Sequence, residues 1–349
     1  MKIAQLVSNL HNVSARANSA IYSHVGGLSD ELVTRGHEVT LFASKDSVTK
    51  ATLRSVENVD VSSPEVTMRM KQHYIRLLIA KCYEVADSFD IIHSHFTLLS
   101  SFHARSTKTP TIISVHSPID DEIKPILAEY KNLKYVSFSL AQRKLMPELN
   151  WYANVYHGVD TNMFTFKDEP KNYVLYLGRV TSDKGLHLAI EAAKKAEMPL
   201  WICGASYPAE GYWHAEVEKH IDGVNVRYLG TKGLEEKIEF LQNAKALIFP
   251  SQCDEVFGYS MIEAMSCGTP VIGWNRGSVP EIIKHGKTGF VVNSVDEMVA
   301  AIKNISTISR ADCRNRAEQF FSISKMVTGY ERIYRRLLEE EKFRADKQA

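Results

Sequence analysis

Residues 251–289 read SQCDEVFGYSMIEAMSCGTPVIGWNRGSVPEIIKHGKTG. Glu255 and Glu263 stand eight positions apart, with Phe257-Gly258 between them and an apolar, small-residue helix beginning around the second. A turn that feeds a helix N-terminus presents free backbone N–H groups, and such a place binds anions without a metal. Two acids flank it here, and ionised carboxylates accept from hydroxyls but repel phosphate. A ligand with phosphate at its middle and polyol groups at both ends meets both demands. A sugar nucleotide is such a ligand.

The stretch lies inside a strand–helix alternation that runs through almost the whole chain. Strand-like runs occur at 3–7, 39–42, 91–92, 111–115 and 135–136. A second set follows at 173–177, 200–203, 226–229, 246–249, 269–272 and 289–292. Many are continuous β-branched runs, as strands covered by helices on both faces require. Strand–helix–strand alternation implies parallel sheets with right-handed crossovers. The pattern restarts near residue 170, after the turn-rich, charged break GVDTNMFTFKDEP at 158–170. The fold class is therefore α/β, with two doubly wound, Rossmann-like parallel-sheet domains. We expect an N-terminal domain over 1–160 and a C-terminal domain over 161–325. A helix is expected over 326–349, because Met326, Val327, Tyr330, Ile333, Tyr334 and Leu337 have helical spacing. Its last residues, EEEKFRADKQA, are expected to fray into solvent. Open parallel sheets bind ligands beyond the carboxyl ends of their strands. Two facing sheets would make one inter-domain cleft.

The totals exclude several classes. At 349 residues the chain exceeds what one hydrophobic core usually serves. Hydrophobic residues at 44% and charged residues at 24% are ordinary globular values. The net charge is +1, balanced along the chain, which argues against nucleic acid as a partner. It leaves room for a local patch at a membrane surface. The 5 cysteines are odd in number and scattered, without a C-x-x-C pair, so the reading is a reducing cytoplasm, with peripheral contact at the inner membrane face allowed. No apolar run approaches the roughly 20 residues of a bilayer span.

Two further segments carry chemistry. Gly178-Arg179-Val180-Thr181-Ser182-Asp183-Lys184-Gly185 follows a predicted strand, with Arg179 at the strand's carboxyl end and Lys184 opening the next helix. Two cations beside a helix N-terminus suit a diphosphate. Glu255 lies in a loop after the 246–249 strand. Glu263 has a competing structural reading, a capping box with Ser260. The same reading is accepted for Ser278 and Glu281. His93, His95 and His116 gather near two strand ends and could mimic a metal cluster. No metal is expected, since cations and helix ends supply the electrostatics and no D-x-D pair is present.

The run Glu255 to Glu263, EVFGYSMIE, resembles the E-x7-E motif of retaining glycosyltransferases with two facing Rossmann-like domains, the GT-B fold, and its surroundings are similar to glycosyltransferase family 4. Arg35 to Thr40, Asp90 to His95 and His157 to Asp160 also resemble motifs of that family. The resemblance implies a hexosyl transfer from a nucleotide-diphosphate sugar to a hydroxyl acceptor (a sugar, lipid or metabolite), with UDP slightly preferred. It also implies the 1–160 domain on the acceptor side, the 161–325 domain binding the nucleotide sugar and the 326–349 helix packing back toward the N-terminal domain. Arg179 and Lys184, with Gly178, would hold the donor diphosphate. Glu255 would accept from donor-sugar hydroxyls, with main-chain groups of Val256, Phe257, Gly258, Tyr259 and Ser260 around sugar and phosphate. Glu263 would take the ribose hydroxyls, and the base would rest near Tyr228 and Leu229. His116 would stand near C6 of the sugar, and His95 on the acceptor side. The departing phosphate itself would take the acceptor's proton.

One departure concerns the first loop, where the family often has Gly-Gly. Here it reads Arg16-Ala17-Asn18-Ser19, and Asn18 and Ser19 would substitute with side-chain donors. Gly26-Gly27 falls inside the following helix and would allow close helix–sheet packing. A sugar-nucleotide epimerase and a non-catalytic sugar-nucleotide sensor are the alternatives. A dinucleotide oxidoreductase is excluded, because Ser8-Asn9-Leu10-His11-Asn12 after the first strand lacks G-x-G-x-x-G.

Overall fold

The computed structural model describes residues 1–56, 61 and 63–348. The chain divides into two compact units, Met1–His157 with Ile323–Ala349, and Gly158–Ser322. In the first unit the strands are β1 (Lys2–Leu6), β2 (Glu38–Phe42), β3 (Thr52–Arg54), β4 (Ile91–Ser94), β5 (Thr111–Ser114), β6 (Lys134–Ser137) and β7 (Trp151–Asn154). They form one parallel sheet in the order β3-β2-β1-β4-β5-β6-β7. Helices α1 (Ala20–Thr34), α2 (Met68–Glu84), α3 (Ser101–Ala104) and α4 (Lys124–Glu129) connect them.

The apolar runs are continuous because each sheet face has its own core. Along β1, Ile3 and then Val7 join the layer of α1, whereas Ala4 and Leu6 join the layer that holds Leu78, Ile79 and Cys82 of α2. Alternate side chains of a strand point to opposite faces, so burial on both sides demands apolar residues at every step. Two strands escape the sequence pattern. β3 has three residues and carries an arginine, and the WYAN of β7 is half-buried throughout.

The second unit holds β8 (Val174–Leu177), β9 (Leu200–Cys203), β10 (Val226–Gly230), β11 (Ala246–Phe249), β12 (Val271–Trp274) and β13 (Gly289–Val292). Its parallel order is β10-β9-β8-β11-β12-β13. The helices are α5 (Leu186–Lys195), α6 (Leu234–Asn243), α7 (Tyr259–Ser266), α8 (Val279–Ile282), α9 (Val295–Lys303) and α10 (Arg310–Phe321). The strand order reverses direction between β8 and β11, as it does between β1 and β4 in the first unit. Consecutive loops leave to opposite faces at such a point, which opens a crevice at the carboxyl ends.

Helix α11 (Ile323–Gln348) belongs to the first unit. Its Met326, Val327, Tyr330, Tyr334 and Leu337 are buried in the core beside α1. The expected fraying of the final residues is corrected: the helix continues to Gln348, and Ala349 lies outside the described residues. Ion pairs Arg336–Glu340 and Arg344–Glu341, one turn apart, and Lys134–Glu341 from β6 support this last part. Among the described residues no helix is long and apolar enough to cross a membrane.

Backbone crowding marks the carboxyl edge of the second sheet. Gly204 follows β9 at φ +155°, and a Cβ there would lie 1.8 Å from the carbonyl oxygen of Gly178. Its N–H donates to the Gly230 carbonyl at 3.0 Å, so glycines at the carboxyl ends of three adjacent strands pack against one another. Gly204→Ala should therefore destabilise by at least about 2 kcal/mol, a melting shift of roughly 4–8 °C. Gly211→Ala, whose Cβ meets open space at φ +77°, should lower Tm by less; equal melting shifts would contradict the crowding account.

Candidate active site

In the second unit the loops after β8 and β11 bring Lys184 and Glu255 together. After β8, residues Ser182–Lys184 make one 3-10 turn and Gly185, at φ +68°, caps α5. Lys184 therefore ends the turn just before the N-cap rather than opening the helix. A Cβ on Gly185 would lie 2.3 Å from the Pro250 carbonyl, so only glycine lets this loop meet the one after β11. The Gln252 N–H donates to the Asp183 carbonyl at 2.7 Å and ties the two loops.

The side chains meet where the loops do. Lys184 Nζ donates to Glu255 Oε1, and Ser251 Oγ donates to the same oxygen at 2.9 Å. Cys253 Sγ lies 3.5 Å from the ammonium. Burial pushes the Lys184 pKa down, but the charge and hydrogen bond of Glu255 outweigh it and hold the pKa above the usual lysine value. Arg179 is exposed, and its carbonyl accepts from Tyr176 Oη at 2.6 Å. The loop after β12 fixes the backbone of the Glu255 loop. Ser278 N–H donates to the Glu255 carbonyl at 3.1 Å, and Ser278 Oγ to the Phe257 carbonyl at 2.6 Å. Gly277, at φ +51°, permits this, since a Cβ would lie 2.5 Å from Glu255 N.

Gly258 is the N-cap of α7 at φ +87°, with Val256 and Phe257 buried before it. Tyr259 and Ser260 are the first helical residues, and Tyr259 Oη donates to the Gly158 carbonyl at 2.8 Å. This corrects the capping-box readings. The N3 position of α7 is Met261, not Glu263. Ser278 makes no side-chain cap bond before α8, because its hydroxyl holds Phe257 instead. Glu263 is 7% exposed and receives Lys237 Nζ of α6 at 2.7 Å on Oε1. Tyr228 and Leu229 sit in edge strand β10, with Tyr228 Oη donating to the Gly204 carbonyl at 2.9 Å and the Trp213 ring 4.6 Å away.

The first unit gathers five histidines at the ends of β4 and β5. His93 Nδ1 meets Tyr334 Oη at 2.7 Å and its Nε2 meets Ser114 Oγ at 2.8 Å. Gln5 Nε2 donates to Tyr334 Oη, and Gln5 Oε1 faces His95 Nε2 at 2.9 Å. With the amide so oriented, His95 carries its proton on Nε2 and accepts on Nδ1 from His116 Nε2 at 2.8 Å. His116 is then left with its lone pair on Nδ1. His24 of α1 pairs with His157 through Nδ1 atoms 2.8 Å apart, while His24 Nε2 is buried without a hydrogen-bond partner. Burial holds all five well on the neutral side, with His24 pushed down to about 3; neighbouring histidines add to the effect for the other four.

Among the described residues, His24, His95 and His116 are the one group of three able to offer a metal nitrogens within 4.8 Å of one another. His24 thus stands where the sequence reading put His93. Asn18 and Ser19 are exposed, and Ser19 is the N-cap of α1. The glycine pair does not serve helix–sheet packing: Gly26 lets the backbone of Ser14 and Ala15 approach α1, and Gly27 faces Ile323 of α11. Sequence reasoning missed Lys237, Gly277, His24 and Gln5. Gly277 alone had a signal, as a glycine between a strand and a helix.

The sequence pattern described as Glycosyltransferase Family 4 matches residues 23–163, and that of Glycosyl transferases group 1 matches 161–320. The two patterns together span residues 23–320, and two doubly wound parallel-sheet units are the GT-B fold of the glycosyltransferases that these patterns describe. The chain belongs to the family 4 type. O-antigen chain mannosyltransferase C of Escherichia coli is 24% identical over 293 residues, 73% of this chain and 78% of its own. The crystal structure of AviGT4, a glycosyltransferase involved in avilamycin A biosynthesis, superposes with a TM-score of 0.75 at 22% identity, covering 97% of this chain and 98% of that one. HepE of Anabaena, crystallised with UDP and glucose, gives 0.70 at 17% identity over 95% and 98%.

The histidine cluster sets a pH expectation. Its members stay neutral when folded and would charge near pH 6.5 when unfolded, so the unfolded chain binds more protons and stability falls as pH drops below about 6.5. Amide hydrogen-exchange protection in β4 and β5 should fall by about 1 kcal/mol for each such histidine between pH 6.5 and 5.5. His24→Leu should reduce that slope. A pH-independent protection would contradict the neutral assignment.

Proposed function

We propose that the protein is a retaining, metal-independent hexosyltransferase that draws on a nucleotide-diphosphate sugar, UDP-linked before GDP-linked, and glycosylates a hydroxyl acceptor. The carrying observation is the Lys184–Glu255 pair at the β8/β11 switch point, beside the Gly258-capped start of α7. An anion there meets an ammonium, an exposed guanidinium and the first N–H groups of a helix, a set suited to diphosphate. HepE, crystallised with UDP and glucose, supports the same donor class.

In this reading Glu255 supplies Lys184 with a counter-charge until the donor arrives. The diphosphate then takes that place, held by Arg179, Lys184 and main-chain groups from Gly178 and from Val256 to Ser260. Glu255 is freed to accept from hydroxyls of the sugar. Glu263 accepts from the ribose, and the base lies by Tyr228 and Leu229. His116 offers its Nδ1 lone pair to a sugar hydroxyl, and His95, Asn18 and Ser19 serve the acceptor, which is a sugar, lipid or metabolite. The anomeric carbon–oxygen bond breaks as the acceptor oxygen bonds on the same face, and the acceptor proton passes to the departing phosphate oxygen. Catalysis is then positioning and charge stabilisation. The enzyme works in the cytoplasm, with peripheral membrane contact where the acceptor is a lipid.

Lys184→Ala should lower kcat at least tenfold, about 1.4 kcal/mol, with UDP-hexose and a simple glycoside acceptor. Near-normal turnover would remove Lys184 from the diphosphate. EDTA should leave the rate unchanged; a loss restored by Mg²⁺ would refute the metal-free mechanism.

A further inference from the structure

Lys237 lies on α6, whose start is set by Glu236 reaching back to the Gly233 N–H. It is 9% exposed, and its ammonium meets Glu263 Oε1 at 2.7 Å and the Phe164 ring, with 5.5 Å to the centroid. Both ionic side chains are only about a tenth exposed. Burying such a pair costs desolvation that its attraction barely returns, and an apolar pair of equal volume would serve stability as well. The α7 cap does not need Glu263 either, since Gly258 and Met261 occupy the cap and N3 positions. What the contact does accomplish is geometric. It pins one oxygen of a carboxylate on the first turns of α7, from a helix that follows β10, and so fixes where the other oxygen points.

We propose that Lys237 is a positioning residue for the donor: by holding Oε1 of Glu263 it aims the second carboxylate oxygen at the ribose hydroxyls of the nucleotide. This rests on the reading of Glu263 given above. A carboxylate free to rotate would lose much of that interaction, because hydrogen bonds to a charged acceptor depend on direction. The Phe164 ring faces the ammonium with a neutral π surface, and Glu263 is the one anion the ammonium meets among the described contacts.

The test is calorimetric binding of UDP and 2′-deoxy-UDP, with GDP and 2′-deoxy-GDP as the second pair, to the wild type, Lys237→Met, Lys237→Arg and Glu263→Gln. The wild type should prefer the ribo form by about tenfold or more, the worth of a charge-assisted hydrogen bond. Lys237→Met should erase that preference by weakening the ribo form at least about tenfold while sparing the deoxy form, and should raise the donor KM with kcat nearly unchanged. Lys237→Arg should restore most of the preference. Should the methionine variant fail to fold, Lys237→Gln, which keeps donor groups without charge, takes its place. Equal weakening of both forms with a lowered Tm, or an unchanged preference, would overturn the role of Lys237. If Glu263→Gln keeps the wild-type preference, or the wild type shows none, it is the ribose assignment that fails. Loss in Glu263→Gln but not in Lys237→Met overturns the lysine's part alone.

Discussion

The second unit depends on a single topological constraint. Where strand order reverses between β8 and β11, the two following loops must part company, yet here they are drawn back into contact. Gly185 gives up a side chain so that its loop can touch the Pro250 carbonyl, and Gly277 does the same against Glu255. These concessions place an ammonium and a carboxylate against each other at the mouth of a parallel sheet. The pair neutralises itself. Neither charge has to find solvent, and neither side chain has to be ordered later from a floppy state.

The first unit solves a different electrostatic problem. Five imidazoles crowd together with almost no charged neighbour, so the only stable arrangement is for all to be neutral and to exchange hydrogen bonds in a fixed sense. Gln5 and Tyr334 decide that sense from the buried end. A glutamine amide deep in the sheet thereby dictates which nitrogen of His116 is available as an acceptor.

Most of the architecture was legible because its cause is local. Continuous apolar runs separated by helical spacing mark strands covered on both faces, and eleven such runs fell on strands. β3 and β7 were not legible, since a three-residue strand and a half-buried WYAN show no periodicity. In the candidate site, residues next to glycines and turns could be read, as at Glu255 and Lys184. Lys237 could not, because a lysine amid LEEKIEFLQN looks like a solvated helix face until α7 is seen to cover it. His24 was hidden by separation: nothing in α1 signals that His157, 133 positions away, will stand beside it.

The course of α11 has a consequence for how the protein comes into being. Tyr330 and Tyr334 plug the layer that holds His93 and Ser114, yet the ribosome delivers them only after the whole of residues 158–322. At typical elongation speeds the leading half waits about 10–30 s with its polar interior uncovered, while the later-made half can already close. The order of maturation is thus reversed relative to the order of synthesis, and the opening segment is the one that needs shelter on the way.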